Sequence, residues 1–198
     1  MEKSKSSLSL SDITLGSRVN GPGERAVIHF QGCSLACPGC FNVHTWPRDP
    51  NKRVPIEDVV GDVGGYEGIT ISGGEPFEQF DGLMELVEGL RDGRPNRGII
   101  VFTGYTKSEL IEYDYFHKAV KCIDVLIMGR YDRTKPNKTG MGLTGSTNQE
   151  VLITTGKYSS EEIISCKMTY EIIIDDDGAK LMGFPSRTVI KTFKGGLR

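Results

Sequence analysis

Apolar residues in this chain gather in short, unbroken runs separated by longer stretches of mixed polarity. Four β-branched runs stand out, Ala26 to Phe30, Ile69 to Ile71, Ile99 to Phe102 and Ile123 to Ile127. Runs that are apolar throughout, rather than alternating, predict strands buried on both faces of a parallel sheet. Between them the period changes. Ile56, Val59, Val60 and Val63 follow the i, i+3, i+4, i+7 rule, and so do Phe80, Leu83, Met84 and Val87, with Leu90 extending the stripe. Thr106 and Glu109 form a capping-box pair opening a third helix through Leu110 and Ile111. Strand and helix alternate, which predicts an α/β fold with crossover connections.

After Asn148 the texture changes. Ser159 and Glu162 form a second capping pair, and Tyr170 to Asp175 and Ala179 to Phe184 flank an Asp-Asp-Gly hairpin signal at 176–178. Arg187 to Phe193 reads as a third β-rich run, completing a small C-terminal β meander. The chain thus divides into a flexible start over residues 1–14, an α/β domain over 15–150 and an extension over 151–198 packed on that domain. The extension carries Ile172, Ile173, Ile174, Leu181, Met182, Phe184, Val189 and Ile190. A small meander is unstable unless one face is covered. It is therefore expected either to close the open side of the sheet or to dock another protein, with the structural role favoured.

Each of the four apolar runs is followed at once by an unusual loop: Gln31-Gly32-Cys33 and onward, Ser72 to Pro76, Thr103 to Thr106, and Met128 to Tyr131. In parallel α/β structures, sites assemble at the C-terminal strand ends, so these loops are expected to share one site. The first contains Cys33, Cys37 and Cys40 spaced C-x3-C-x2-C around Pro38 and Gly39. Soft thiolates select zinc or iron–sulfur clusters. Three thiolates on a four-iron cubane leave one iron open to a ligand. The same thiols with His44 as a fourth ligand also fit a structural zinc site, and both readings stay open on spacing alone. Cys122 and Cys166 read as part-buried packing residues, and His29 as a core histidine. In the second loop, Gly73 and Gly74 are expected to let a ligand reach the backbone, with Glu75 beside them. On that reading Gly74→Val weakens ligand binding more than folding.

Composition narrows the class. A net charge of −2 over 198 residues gives no hint of a nucleic-acid or anionic-membrane partner. No apolar run is long enough to span a bilayer. The Ser-rich start lacks the apolar core of a secretory signal, so a cytoplasmic location is expected, where thiols stay reduced.

Taken together, these residues resemble the radical S-adenosylmethionine superfamily. Within it they most resemble the activating enzymes of glycyl radical enzymes, nearest to those of anaerobic ribonucleotide reductases. The resemblance rests on Val19 to Gly23, Gly32-Cys33 through Cys40-Phe41-Asn42, Thr45-Trp46, Ser72 to Pro76, Thr103-Gly104-Tyr105 and Gly145 to Gln149, in that order. It implies a partial β/α barrel and a [4Fe-4S] cluster on Cys33, Cys37 and Cys40. The open iron would bind S-adenosylmethionine. Gly73, Gly74 and Glu75 would meet the methionine amino group, Gly39 and Phe41 the adenine, and Thr103 and Gly104 the ribose. Flavodoxin or ferredoxin would supply an electron. The 5′-deoxyadenosyl radical so formed would take hydrogen from a glycine of a partner enzyme. Activases of this kind usually end soon after the segment matched by Asn148-Gln149, whereas this chain continues to Arg198. Two other readings remain: a radical enzyme acting on a peptide or small molecule, such as a 7-carboxy-7-deazaguanine synthase, and a zinc-binding or electron-carrying module.

Overall fold

The computed structural model describes residues 6–175 and 178–196. In chain order the elements are β1 (Ser7–Ser17), β2 (Arg25–Phe30), β3 (Arg53–Pro55), α1 (Ile56–Asp62), β4 (Gly68–Gly73), α2 (Phe80–Arg91), β5 (Gly98–Thr103), α3 (Lys107–Glu112), α4 (Phe116–Cys122), β6 (Val125–Met128), β7 (Glu150–Ile153), α5 (Ser160–Ile164), β8 (Tyr170–Asp175), β9 (Gly178–Gly183) and α6 (Arg187–Gly196). Seven strands form one sheet in the order β3-β1-β2-β4-β5-β6-β7, and β8-β9 form a separate pair. The four central strands, β2, β4, β5 and β6, are parallel. β1, β3 and β7 run antiparallel to their neighbours. The class is α/β, and the four apolar runs are its central strands.

Burial explains why those runs do not alternate. Ala26, Ile28, Phe30, Ile69, Ile71, Ile99, Val101, Leu126 and Met128 pack in one cluster with α1, α2 and α4. On the opposite face Ile100, Val125 and Ile127 join Leu143, Tyr158 and Ile163, while Val27 joins Val19 and Met182. Both faces are covered, so apolar residues fill most positions on either side, and the polar exceptions Arg25, Thr70 and Asp124 are buried with hydrogen-bond partners. The helices start where expected: the Thr106–Glu109 and Ser159–Glu162 capping boxes are both formed.

Three expectations are corrected. The start is a strand from Ser7 onward, not a frayed segment: Leu8 and Leu10 bury inward, and β1 pairs with both β2 and β3. Residues 1–5 lie outside the described set. Arg187 to Phe193 is helical, not a strand, so the C-terminal meander is a hairpin followed by a helix. Asp176 and Asp177 of the turn lie outside the described residues. The boundary at 150 also falls inside β7, which completes the main sheet.

The extension covers the sheet with one face only. Ile173 and Met182 pack on Val19 and Val27, Lys180 meets Asp12 at 3.1 Å, and the Arg18 N–H donates to Glu171. On the other face Ile172 and Ile174 are exposed.

One charge is sealed under the sheet. Arg25, fully buried, opens β2 with no carboxylate partner among the described residues. Its guanidinium donates to Thr70 Oγ1 (2.7 Å), to the carbonyls of Ile69 (2.6 Å), Gly98 (3.0 Å) and Pro22 (3.1 Å), and to the Tyr158 hydroxyl (2.8 Å). Space for it comes from glycines: a Cβ at Gly68 would lie 2.8 Å from Nη1, and one at Gly98 would lie 2.0 Å from the Tyr158 hydroxyl. Arg25→Met keeps the length but strands several buried acceptors. It is expected to cost about 3 kcal/mol, read as a lowered urea midpoint with an unchanged m-value.

Candidate functional site

All four loops of interest leave the same edge, because the strands that feed them are parallel. They are joined there by hydrogen bonds. The N–H groups of Gly74 and Glu75 donate to the carbonyls of Phe30 and Gly32, each at 2.8 Å. This stitches the glycine loop to the start of the cysteine loop. Glu75, 1 % exposed, links the next pair. Its Oε1 accepts from Thr103 Oγ1 (2.7 Å) and Phe77 N–H (3.0 Å), and its Oε2 accepts from Gly104 N–H (2.7 Å). The Gly129 N–H then donates to the carbonyls of Thr103 and Tyr105. Gln149 closes the row, donating to the Gly129 carbonyl (3.0 Å) while accepting from the N–H groups of Gly145 (2.8 Å) and Ser146 (3.1 Å).

Local sequence explains the central residue. Glu75 is the N-cap of a short 3₁₀ turn over Pro76–Gln79, with Pro76 at the first position, where no N–H is needed. Burial pushes its carboxyl up to about 7, against the pull of the Gly104, Phe77 and Thr103 donors.

The glycines are required for a reason other than ligand access. Gly73 has φ +97°, and a Cβ there would lie 2.6 Å from the Phe30 nitrogen. A Cβ at Gly74 would lie 2.3 Å from the Gly32 carbonyl oxygen. The missing side chains are vacated for the backbone of β2 and the cysteine loop. A side chain at Gly74 therefore also burdens folding, beside the loss of ligand binding expected of Gly74→Val.

The cysteine loop is anchored on both flanks. The Gly32 and Cys33 N–H groups donate to the carbonyls of Thr45 (2.7 Å) and Trp46 (3.0 Å). Glu78 accepts from both the N–H (2.7 Å) and Oγ (2.6 Å) of Ser34. Left-handed backbone at Gly32, Ala36 and Gly39 turns the loop. Cys33, Cys37 and Cys40 are each partly buried. Burial pushes the Cys33 and Cys37 thiols up, while backbone N–H groups aimed at the sulfurs oppose it, from Leu35 and Ala36 at Cys33 and from Tyr131 at Cys37. Three partly buried thiols in one turn suit thiolate ligation of an iron–sulfur cluster, whose properties depend on burial and nearby backbone N–H groups. Among the described residues no group of three or more His, Cys, Asp or Glu is gathered tightly enough for a single metal ion. His44 contributes to the charge environment of His29, together with Asp12 and Lys180. His29 itself is held neutral, its pKa pushed down to about 4 chiefly by burial.

The remaining candidates are placed as follows. Gly39 lies in the exposed part of the loop, the side-chain side of its backbone facing Arg133 and Arg187. Phe41 is half-buried just beyond the third cysteine. Thr103 and Gly104 stand beside Glu75. Cys122 and Cys166 lie elsewhere, each donating to carbonyls of its own helical turn. Sequence reasoning missed Glu78, Tyr131 and the Arg130–Glu109 fork. In that fork both carboxylate oxygens of Glu109 accept from Arg130 (2.8 and 2.9 Å), and its carboxyl is pulled down to about 2. Only the position of Arg130 and Tyr131 right after β6 marked them in advance.

A model of the 4Fe-4S single cluster domain family matches residues 19–152. The anaerobic ribonucleoside-triphosphate reductase-activating protein of Escherichia coli (strain K12) is 31 % identical over 142 residues, covering 67 % of this chain and 90 % of that protein. The protein of the same name from Enterobacteria phage T4 is 29 % identical over 141 residues, covering 67 % of this chain and 86 % of its own. The pyruvate formate-lyase-activating enzyme of Staphylococcus aureus (strain USA300) is 27 % identical over 143 residues, covering 68 % of this chain and 56 % of that enzyme. Among solved structures, QueE from Escherichia coli aligns with a TM-score of 0.44 at 21 % identity, covering 50 % of this chain and 53 % of that one.

The fold is α/β, and the family match makes this an iron–sulfur protein. The chain belongs to the 4Fe-4S single cluster family and, within it, to the radical S-adenosylmethionine activating enzymes represented by the anaerobic ribonucleoside-triphosphate reductase-activating proteins. Its cofactors are accordingly a [4Fe-4S] cluster and S-adenosylmethionine.

Two outcomes follow from this geometry. Gly74→Ala is expected to lower thermal stability and iron uptake together, because its Cβ forces the Gly32 carbonyl away. Gly65→Ala, with nothing within 4 Å of the new atom, should change neither. Iron content and a melting curve on both variants check this. The second outcome concerns Glu75. The folded chain holds that proton to about 7, against 4.5 for an ordinary glutamate. The stability tied to the proton is therefore lost as pH rises from 4.5 towards 7. Glu75→Gln has no proton to lose. Urea titrations of cluster-free protein should show the wild type losing stability relative to the variant across that window, with no further change above it. A parallel pH course in both proteins would assign the titration elsewhere.

Proposed function

We propose that this protein cleaves S-adenosylmethionine reductively at a [4Fe-4S] cluster held by Cys33, Cys37 and Cys40, and installs a radical on a glycine of a partner enzyme such as an anaerobic ribonucleotide reductase. The observation that carries this reading is the hydrogen-bonded row of loops at one sheet edge, with the three thiols at its end. When bound, the cluster supplies the electron that breaks the sulfonium bond, and the chemistry belongs to the cofactors. The protein's part is to hold and to exclude water.

In this reading Gly73 and Gly74 offer backbone groups to the methionine amino end. Glu75 fixes Thr103 and Gly104 for the ribose, while Gly39 and Phe41 flank the adenine. Flavodoxin or ferredoxin supplies the electron, and the reaction takes place in the cytoplasm. Among the described residues no helix is long and apolar enough to cross a membrane.

The test is anaerobic reconstitution followed by dithionite and product analysis. About four irons per chain are expected, together with 5′-deoxyadenosine and methionine in equal amounts. Cys37→Ala should lose the iron, and Cys122→Ala and Cys166→Ala should keep it. Full iron retention in Cys37→Ala would sink the ligand assignment. An intact, reduced cluster that yields no 5′-deoxyadenosine would sink the reaction.

A further inference from the structure

An electron must reach the cysteine loop from outside, and the loop meets solvent on one side. Ser34, Ala36, Pro38 and Gly39 are exposed, whereas the three cysteines between them are partly buried. Two segments distant in sequence converge on that exposed side. A Cβ built on Gly39 would lie 3.4 Å from both Cβ and Cδ of Arg133, and 3.6 Å from Nη2 of Arg187. Arg133 belongs to the loop after β6, which also aims the Tyr131 N–H at Cys37. Arg187 opens α6, and Lys191 follows one helical turn later on the same side. All three cations are exposed, and no ion pair among the described residues engages them.

The nearby carboxylates are already committed. Asp132 accepts from Thr134 (2.6 and 2.8 Å) and faces Lys135 at 3.8 Å. Glu109 is forked by Arg130, and Glu78 is held by Ser34 and Arg48. Glu75 is inside. α6 contains no acidic residue. A chain of net charge −2 thus sets an unneutralised positive rim beside its cysteine loop.

We propose that Arg133, Arg187 and Lys191 form the docking surface for an acidic one-electron carrier protein. This rests on the reading under Proposed function and adds the place and charge of the partner. Complementary charge accelerates encounter more than it tightens binding. That suits a carrier which must arrive, give up its electron and leave, through the small interface usual for such encounters. The step is one electron out of the carrier's reduced group and into the cluster; no bond forms or breaks and no proton moves. α6 lies beyond residues 19–152, the segment shared with the family.

The test uses full-length reconstituted protein and a reduced acidic flavodoxin. Two variants are compared with wild type: the charge reversal Arg133→Glu/Arg187→Glu/Lys191→Glu, and the milder Arg187→Gln/Lys191→Gln, which leaves the cysteine loop's neighbour in place. Cluster bleaching by flavodoxin should slow about tenfold to a hundredfold in the reversal at low salt, and severalfold in the milder variant. Raising salt should slow wild type and speed the reversal, because it screens attraction in one and repulsion in the other. Calorimetric binding of oxidised flavodoxin should weaken in parallel, which is a readout independent of turnover. Iron content and bleaching by dithionite should match wild type. Equal flavodoxin rates in all three proteins would overturn the proposal. So would loss of dithionite bleaching in both variants, which would mean that the cations hold the loop. Normal flavodoxin rates with lost glycyl radical formation would assign the surface to the target enzyme and equally overturn it. Dithionite reduction without 5′-deoxyadenosine in wild type would instead defeat the function proposed above, while the bleaching and binding arms still decide the docking surface.

Discussion

Everything at the functional edge depends on a carboxylate kept out of water. Glu75 accepts three hydrogen bonds from Phe77, Thr103 and Gly104, which join the β4 loop to the β5 loop. A buried carboxylate is tolerated only when its oxygens are satisfied. The donors must therefore stand where the oxygens need them, and the backbone of 103–104 has little freedom. The same residue caps its own 3₁₀ turn, so local chain geometry and the cross-strand staple are set by one side chain. The neighbouring glycines carry the constraint back to β2. With no Cβ at 73 or 74, the chain lies close enough for N–H groups to reach the Phe30 and Gly32 carbonyls. The cysteine loop is thereby positioned by main chain, the least deformable material available.

The opposite edge is held by the opposite charge. Arg25 gathers carbonyls and hydroxyls from β4, β5 and Tyr158, with no acidic partner among the described residues. A guanidinium offers five donors in a fixed fork, and its five hydrogen bonds here answer the need of a buried cation without a counter-ion. Because Tyr158 is one of its acceptors, the chain beyond the shared family segment is tied into the sheet. α5 adds Ile163 to the same core, and Met182 adds cover over Val27. Closing the sheet is thus a structural role for the extension. The exposed Ile172 and Ile174 show that only one face of the hairpin is used for it.

What could be read from sequence divides along the same line. The central strands were legible because double burial leaves few polar positions to confuse the pattern. The capping boxes were legible because both partners lie within four residues. β1 was hidden by its serines, although Leu8 and Leu10 alternate as a half-buried strand should. α6 was misread because Thr188, Val189, Ile190 and Thr192 are β-branched. Its apolar positions 189, 190 and 193 nevertheless fit a helical stripe, and that pattern outweighs weak propensity. The glycine pair announced that a side chain is forbidden but not what fills the space, since the answer lies more than forty residues away in β2. The partners of Arg25 and Glu75 are equally non-local, and no spacing rule reaches them.

The cysteine loop has to meet two demands that oppose each other. On the function proposed above, radical chemistry needs a site from which water is excluded, whereas the electron that starts it would arrive on another molecule. A loop buried throughout would satisfy the first demand and block the second. This loop alternates instead. Cys33, Leu35, Cys37 and Cys40 are partly buried, while Ser34, Ala36, Pro38 and Gly39 face out. The alternation needs a backbone that reverses within a few residues, and left-handed conformations at Gly32, Ala36 and Gly39 supply it. Ala36 is the one non-glycine of the three, and its methyl is the smallest side chain that this conformation can carry. The border between the dry carboxylate row and the charged rim therefore runs through the thiol loop itself, and its position is set by three backbone angles.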